Sequence, residues 1–199
     1  MTATANARAT LILASTSRYR AQLLGRLGYP FEQLAPDCDE TPLPAEQPID
    51  LVQRLAVGKA QSLATLHPQA VVIGSDQVAD FNGAIIGKPQ DHADAVSQLR
   101  TIAGQRVVFQ TGLCITRASD AMQRSCVVAT TVQFRRLDDE AIERYLAADK
   151  PYDCACSFRS ESLGSAIVES MTSDDPCALV GLPIIQVANW LHDFGIAIP

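Results

Sequence analysis

Val71-Val72-Ile73-Gly74-Ser75-Asp76-Gln77 decides how this chain is read. An apolar run stops abruptly at a glycine and delivers a carboxylate. Such a run, set between turn signals, reads as the central buried strand of an α/β sheet over residues 71–75. Buried strands of α/β proteins carry their chemistry at their carboxyl ends, where side chains leave the core. An acid there can hold a divalent cation or direct a water. Asn82-Gly83 then marks a tight hairpin. Gly87-Lys88-Pro89 follows, a turn that places a lysine as a point charge for phosphate.

Working outward, Leu11-Ile12-Leu13 is a short buried strand, and residues 18–27 a helix with Leu23, Leu24 and Leu27 on one face, closed at Gly28. Residues 31–35 suggest a second strand. Residues 36–48 hold four prolines and several acids and read as a loop. A long amphipathic helix is expected over 49–66, burying Leu51, Leu55, Ala56, Leu63 and Leu66, and ended by His67-Pro68. Asp91 caps a helix running to about residue 101. Residues 106–117 and 126–135 read as long strands, and Asp138 caps a helix ending near Asp149. Residues 154–158 and 166–169 are short strand candidates, with a final helix over 182–194. Alternating strands and helices with interspersed hairpins predict an α/β fold: a mixed, twisted β-sheet flanked by helices, in two lobes around a cleft. Residues 1–10 are expected to be a flexible tail and 11–199 a single domain.

The chain has 199 residues, 47 % of them hydrophobic, which suffices for a sizeable core. Its net charge is −6, so the excess of Lys and Arg that polymeric nucleic acid requires is missing. A small anion remains compatible, because a few local cations outweigh a weak global field. Residues 1–10 lack the apolar segment of a secretory signal, and no stretch is apolar and long enough to span a bilayer. Six cysteines without a Cys-x-x-Cys pair read as reduced thiols of a cytoplasmic protein. Cys154 and Cys156 would share one face of a strand, where ordinary packing is the preferred reading over a redox or metal pair.

Candidate chemistry gathers in a few places. Ser15 and Ser17 leave a strand and enter a helix, where free N–H groups and the positive end of the dipole suit phosphate, and Arg20 adds a bidentate fork. Lys59 and Lys88 are further cations. Asp76 and Glu40 are hard oxygen donors on separate segments, suited to Mg²⁺ or Mn²⁺, with Asp80 a weaker candidate. His67, His92 and His192 are scattered without zinc spacing. No P-loop, no dinucleotide glycine fingerprint and no nucleophile elbow is present.

The ordered set Leu11–Ser17 with Arg20, Asp39-Glu40-Thr41, Lys59-Ala60, Gly74–Gln77, Gly87-Lys88-Pro89, Thr111-Gly112 and Val180-Gly181-Leu182-Pro183 resembles the Maf family of nucleoside triphosphate pyrophosphatases. The resemblance implies a Maf/ITPase-like fold, a divalent cation, and cleavage between the α and β phosphates of a small-molecule nucleotide. It implies that Asp76 accepts a proton, that Arg20, Lys59 and Lys88 contact phosphates beside Ser15 and Ser17, and that Glu40 helps Asp76 hold metal. It assigns base selection to Tyr19, Gln77 and Glu161. Ser157-Phe158-Arg159-Ser160-Glu161 is similar to the branch acting on 7-methyl-GTP, where an aromatic ring stacks on a cationic base and a carboxylate accepts from its N–H groups. That branch implies removal of modified nucleotides before they enter RNA. The alternatives are the branch acting on dTTP and UTP, which tends to carry glutamine there, and a noncatalytic nucleotide-binding regulator of cell division. A homodimer is a further implication; no membrane partner is expected. Several residues depart from the family pattern: Arg18 for a usual proline, Ala21 for an arginine, Tyr19 for a common tryptophan, and Cys156 and Ser162 for glycines.

Overall fold

The structure, a computed structural model, describes residues 9–198. The first eight residues of the expected tail lie outside that range. Its last two are tied down: Tyr29 donates to the Ala9 carbonyl and the Val71 N–H to that of Thr10. Strands β1 (Leu11–Ala14), β2 (Glu32–Leu34), β3 (Val71–Phe81), β4 (Ala84–Ile86), β5 (Arg106–Arg117), β6 (Met122–Phe134) and β7 (Val168–Ser173) form one sheet. Its order is β2-β1-β3-β5-β6-β7, with β4 folded back on β3. β1 pairs in parallel with β2 and β3, and every other pairing is antiparallel. The expected mixed α/β sheet is therefore present. Helices α1 (Arg18–Gly25), α2 (Pro48–Leu66), α3 (His92–Ile102), α4 (Asp139–Asp149) and α5 (Ile184–Leu191) flank it. Asp91 and Asp138 cap α3 and α4 through their side chains, as their sequence positions predict.

The opening in this sheet comes from unequal strand lengths. The β1–β3 register ends at Ala14 opposite Gly74, where the chain turns away into α1. β3 runs on to Phe81 and meets β4 only from Ala79. Residues 75–78 consequently have a strand neighbour, β5, on one side only. Asp76 thus lies inside an 11-residue strand rather than at the end of a short one. What ends beside it is the neighbouring parallel strand, so the carboxyl-end rule applies to β1.

Alternation along β3 and β5 sorts residues between the two faces. Val72, Gly74, Gly112 and Cys114 face α2, which packs there through Ala56, Ala60, Leu63 and Ala64. The approach is close enough that a Cβ on Gly74 would collide with the Ala56 carbonyl, and one on Gly112 with that of Val52. Ile73, Leu113 and Ile115 face the other way, against Leu23 and Leu24 of α1 and Val187 and Leu191 of α5. A separate cluster joins Phe109 and Phe134 to Leu99 of α3, Leu146 of α4 and Phe158. The cleft lies between these cores.

Several local expectations are corrected. Leu66, at the last turn of α2, is 71 % exposed rather than part of the inner face. In place of the strand expected over 154–158 is a short 3₁₀ turn, Ala155–Ser157, because Cys156 and Ser157 adopt left-handed φ of 60° and 50°, incompatible with a strand. Cys154 and Cys156 therefore share no strand face, and all six cysteines are free. The left-handed φ also accounts for the glycine usual at position 156 in the resembling family. The strand expected over 166–169 begins at Val168 and extends to Ser173, and the final helix is shorter than expected.

Candidate active site

A cavity of about 780 Å³ opens where β3 lacks a neighbour, and it is lined by ten of the residues singled out above, whereas Asp80, the weaker candidate, lies outside the lining and accepts from the Gly83 N–H in the hairpin. Ser15 and Ser17 come from the β1–α1 turn, Tyr19 and Arg20 from the first turn of α1, Glu40 from the proline-rich loop and Lys59 from α2. Asp76 and Gln77 come from β3, Lys88 from the segment after β4, and Glu161 from the loop before β7.

At its floor, Lys59 Nζ donates to Asp76 Oδ1 at 2.7 Å and stands 2.8 Å from Glu40 Oε1. Alternation puts Asp76 on the α2 side of the sheet, and the glycine contacts that draw α2 close bring Lys59 within reach. Asp76 and Lys59 are buried, whereas the Glu40 side chain is 60 % exposed. Asp76 Oδ2 makes no hydrogen bond among the described residues, so it remains available to a water or cation. No cluster of three or more His, Cys, Asp or Glu side chains suited to a metal occurs among the described residues. The two carboxylates converge through Asp76 Oδ1 and Glu40 Oε1 on the Lys59 ammonium.

The β1–α1 turn supplies the next layer. The Ser17 N–H donates to Ser15 Oγ at 3.1 Å, and Ser17 Oγ caps α1 by accepting from the Arg20 N–H. Arg20 Nε donates to the Gly181 carbonyl at 2.8 Å, and its Nη1 lies 3.4 Å from Ser15 Oγ. Ser75 Oγ lies 2.7 Å from the Gly112 carbonyl and 2.9 Å from the same Gly181 carbonyl, between which its one proton is shared. Burial pulls the Arg20 guanidinium below its ordinary pKa, and nearby Asp76 and Glu40 oppose that shift. Gly181 has φ of 113°, so only glycine holds this carbonyl without backbone strain. Its clamping role was hidden in the sequence, because residues 181 and 20 meet only through the fold.

The remaining residues line the same cavity from separate segments. Lys88 is exposed and free to reach a ligand. Gln77, on the opposite face of β3 from Asp76, donates through Nε2 to the Ala178 carbonyl at 2.7 Å and to Thr111 Oγ1 at 3.0 Å. Its amide nitrogen is thereby tied to the 176–180 turn, which leaves the oxygen as its outward-acting group. Tyr19 is half-buried, its hydroxyl donating to Asp153 at 3.0 Å. Glu161 is exposed and accepts from Ser160. Arg18 and Asp153 also line the cavity, and neither was singled out from the sequence as a site residue. An acid in a post-helical turn carries no local signal of such a place.

These features define a mixed-sheet α/β protein with a charge-lined cleft of the size of a small-molecule site. Residues 10–194 match the family described as Maf-like protein. The 7-methyl-GTP pyrophosphatase of Polaromonas sp. (strain JS666 / ATCC BAA-500) is 52 % identical over 188 residues, covering 94 % of this chain and 86 % of that protein. The 7-methyl-GTP pyrophosphatase of Nitrosococcus oceani is 52 % identical over 94 % of each chain. That of Bordetella avium is 50 % identical over 94 % of this chain and 93 % of the other. Among solved structures, the Staphylococcus aureus Ham1 protein aligns at 14 % identity with a TM-score of 0.47, covering 63 % of this chain and 71 % of that one. The chain belongs to the Maf family.

Proposed function

We propose that the chain hydrolyses 7-methyl-GTP to 7-methyl-GMP and pyrophosphate, keeping the modified nucleotide out of RNA. The observation that carries this reading is the convergence of Asp76, Lys59, Glu40 and Arg20 on one cleft that also holds Tyr19 and Glu161. The relatives named for this reaction, about half identical along nearly the whole chain, support it.

Asp76 takes the proton of a water whose oxygen attacks the α phosphorus. The bond from that phosphorus to the bridging oxygen breaks, and pyrophosphate leaves with the electron pair. Oδ1 is held by Lys59, so Oδ2 is the oxygen that orients the water. Arg20, Lys59 and Lys88 offset the charge that develops on the leaving group, and the Ser15–Ser17 turn offers N–H and hydroxyl donors. Asp76 and Glu40 would hold a Mg²⁺ or Mn²⁺ ion, which supplies charge neutralisation on the phosphates when bound. At the other end, Tyr19 stacks on the base and Glu161 accepts from its N–H groups, both favouring the cationic methylated form. Among the described residues no helix is long and apolar enough to cross a membrane.

The test is a turnover panel of 7-methyl-GTP, GTP, dTTP and UTP with Mg²⁺ or Mn²⁺, read as pyrophosphate release. A preference of about tenfold or more for 7-methyl-GTP is expected from one added cationic contact. Equal rates on all four would remove the narrow assignment, and nucleotide binding without pyrophosphate release would favour a noncatalytic regulator.

A further inference from the structure

The base end of the cleft contains a polar chain that the reaction above does not use. Tyr19 Oη donates to Asp153 Oδ2 at 3.0 Å and accepts from Arg18 Nη2 at 2.8 Å. Asp153 Oδ1 accepts from Arg159 Nη2 at 2.6 Å. Arg159 in turn donates from Nη1 to the Asp149 carbonyl, the last residue of α4, at 2.8 Å. Arg159 precedes Glu161 by two residues, and its N–H donates to the buried Tyr145 hydroxyl. One carboxylate therefore ties the first turn of α1, which carries the aromatic ring, to the loop that carries Glu161.

We propose that Asp153 is a specificity-determining positioning residue, fixing the Tyr19 ring at the base end of the cleft through its hydroxyl while Arg159 fixes Asp153. This rests on the reading of Tyr19 as the ring that stacks on the base. The ring sits on the first helical turn, where Arg18, its sequence neighbour, lies 4.8 Å from its centroid, and Asp153 is the partner that ties its hydroxyl to another segment, as a stacking contact with a defined plane demands. Asp153 also neutralises Arg159, whose side chain is only 18 % exposed. Without Asp153 the Tyr19 hydroxyl keeps only its contact to Arg18, and Arg159 keeps Asp149 Oδ1 at 3.4 Å as its one carboxylate partner, so one negative charge is lost from the base end, which disfavours a cationic base and leaves a neutral one nearly unaffected. Both effects lower the preference for the methylated nucleotide and leave the phosphate end of the cleft untouched.

The experiment is a double-mutant cycle of Tyr19→Phe and Asp153→Ala, with Asp153→Asn as the conservative variant, measured as kcat/KM on 7-methyl-GTP and GTP. Asp153→Ala should lower kcat/KM about tenfold on 7-methyl-GTP and less than about threefold on GTP, and the double variant should be no worse than the poorer single one. Asp153→Asn, whose carboxamide oxygen still accepts from Tyr19, should recover part of the loss. An unchanged substrate ratio in Asp153→Ala, or additive effects of the two substitutions, would overturn the proposal. If the unmodified enzyme itself shows no preference, the base-selective reading fails instead. The cycle on GTP then still judges the Tyr19–Asp153 coupling, and nucleotide-induced rises in melting temperature judge it should no nucleotide be turned over.

Discussion

Lys59 of α2 and Asp76 of β3 meet at 2.7 Å across the helix–sheet interface, both buried, in the gap where β1 has already ended. The contact joins two requirements of the site: an ammonium near the phosphates and a carboxylate oriented toward a water. Lys59→Met should abolish most turnover. It should also lower stability by about 3 kcal/mol, the low end for breaking a buried pair, because exposed Glu40 stays hydrated. With the ammonium gone, Mg²⁺ should raise the melting temperature of this variant more than that of the parent protein. Thermal melts with and without MgCl₂ check both points, and an equal Mg²⁺ effect would argue against Asp76 and Glu40 as cation ligands.

Gly112 has no space for a side chain, since its Cβ would collide with the Val52 carbonyl and come within 3.2 Å of Ala56 Cβ. Gly112→Ala should therefore push α2 off the sheet, costing about 1–3 kcal/mol or more as overpacking does. Lys59 rides on that helix, so kcat should fall as well. Urea unfolding and steady-state kinetics on the same variant test the linkage, and a destabilised variant with unchanged kcat would break it.

Gly181→Ala adds a Cβ 3.2 Å from Arg20 Nε at a φ of 113°. The left-handed strain costs about 1–3 kcal/mol, and Arg20 loses its carbonyl anchor. The expected signature is a rise in KM for nucleotide and for pyrophosphate product inhibition alike, because both engage Arg20. Gly28→Ala is the control for the strain alone, since its φ is also positive and nothing lies within 4 Å of the added carbon.

The loop carrying Glu40 is stapled by Arg54, which donates to Glu46 Oε1 at 2.6 Å and Oε2 at 2.8 Å and to the Thr41 carbonyl. The Arg54 hydrogen bonds hold the Glu46 carboxyl down at about 2, against an ordinary 4.5. A depressed carboxyl stabilises the fold fully above the unfolded value, and the contribution fades as pH falls from about 4.5 to about 2. The gap in urea midpoint between the parent protein and Glu46→Gln should thus be wide near pH 6 and narrow near pH 3. A gap independent of pH would remove the ion pair from the account.

The sequence made the alternation of elements legible, because α2, α3, α4, β5 and β6 are long, periodic and, for α3 and α4, capped by aspartates. It missed the length of β3, since Val78-Ala79-Asp80-Phe81 gains its strand partners only from β4 and the far half of β5. Residues 154–158 misled for a different reason: two non-glycine residues hold left-handed φ because Gln98 and the Gly87 carbonyl secure them from afar. The charged residues of the cleft were readable through ordered motifs. The Gly181 clamp and the Tyr19–Asp153 link were not, since each joins residues more than a hundred positions apart.

The most direct test of the whole account is Asp76→Asn assayed on 7-methyl-GTP at saturating metal. The carboxamide keeps the shape and can still accept from Lys59, but it cannot take a proton from water. The account predicts a folded protein whose kcat falls by about a hundredfold or more while KM changes little. Turnover within about threefold of the parent enzyme would contradict the assignment of Asp76 as the working base.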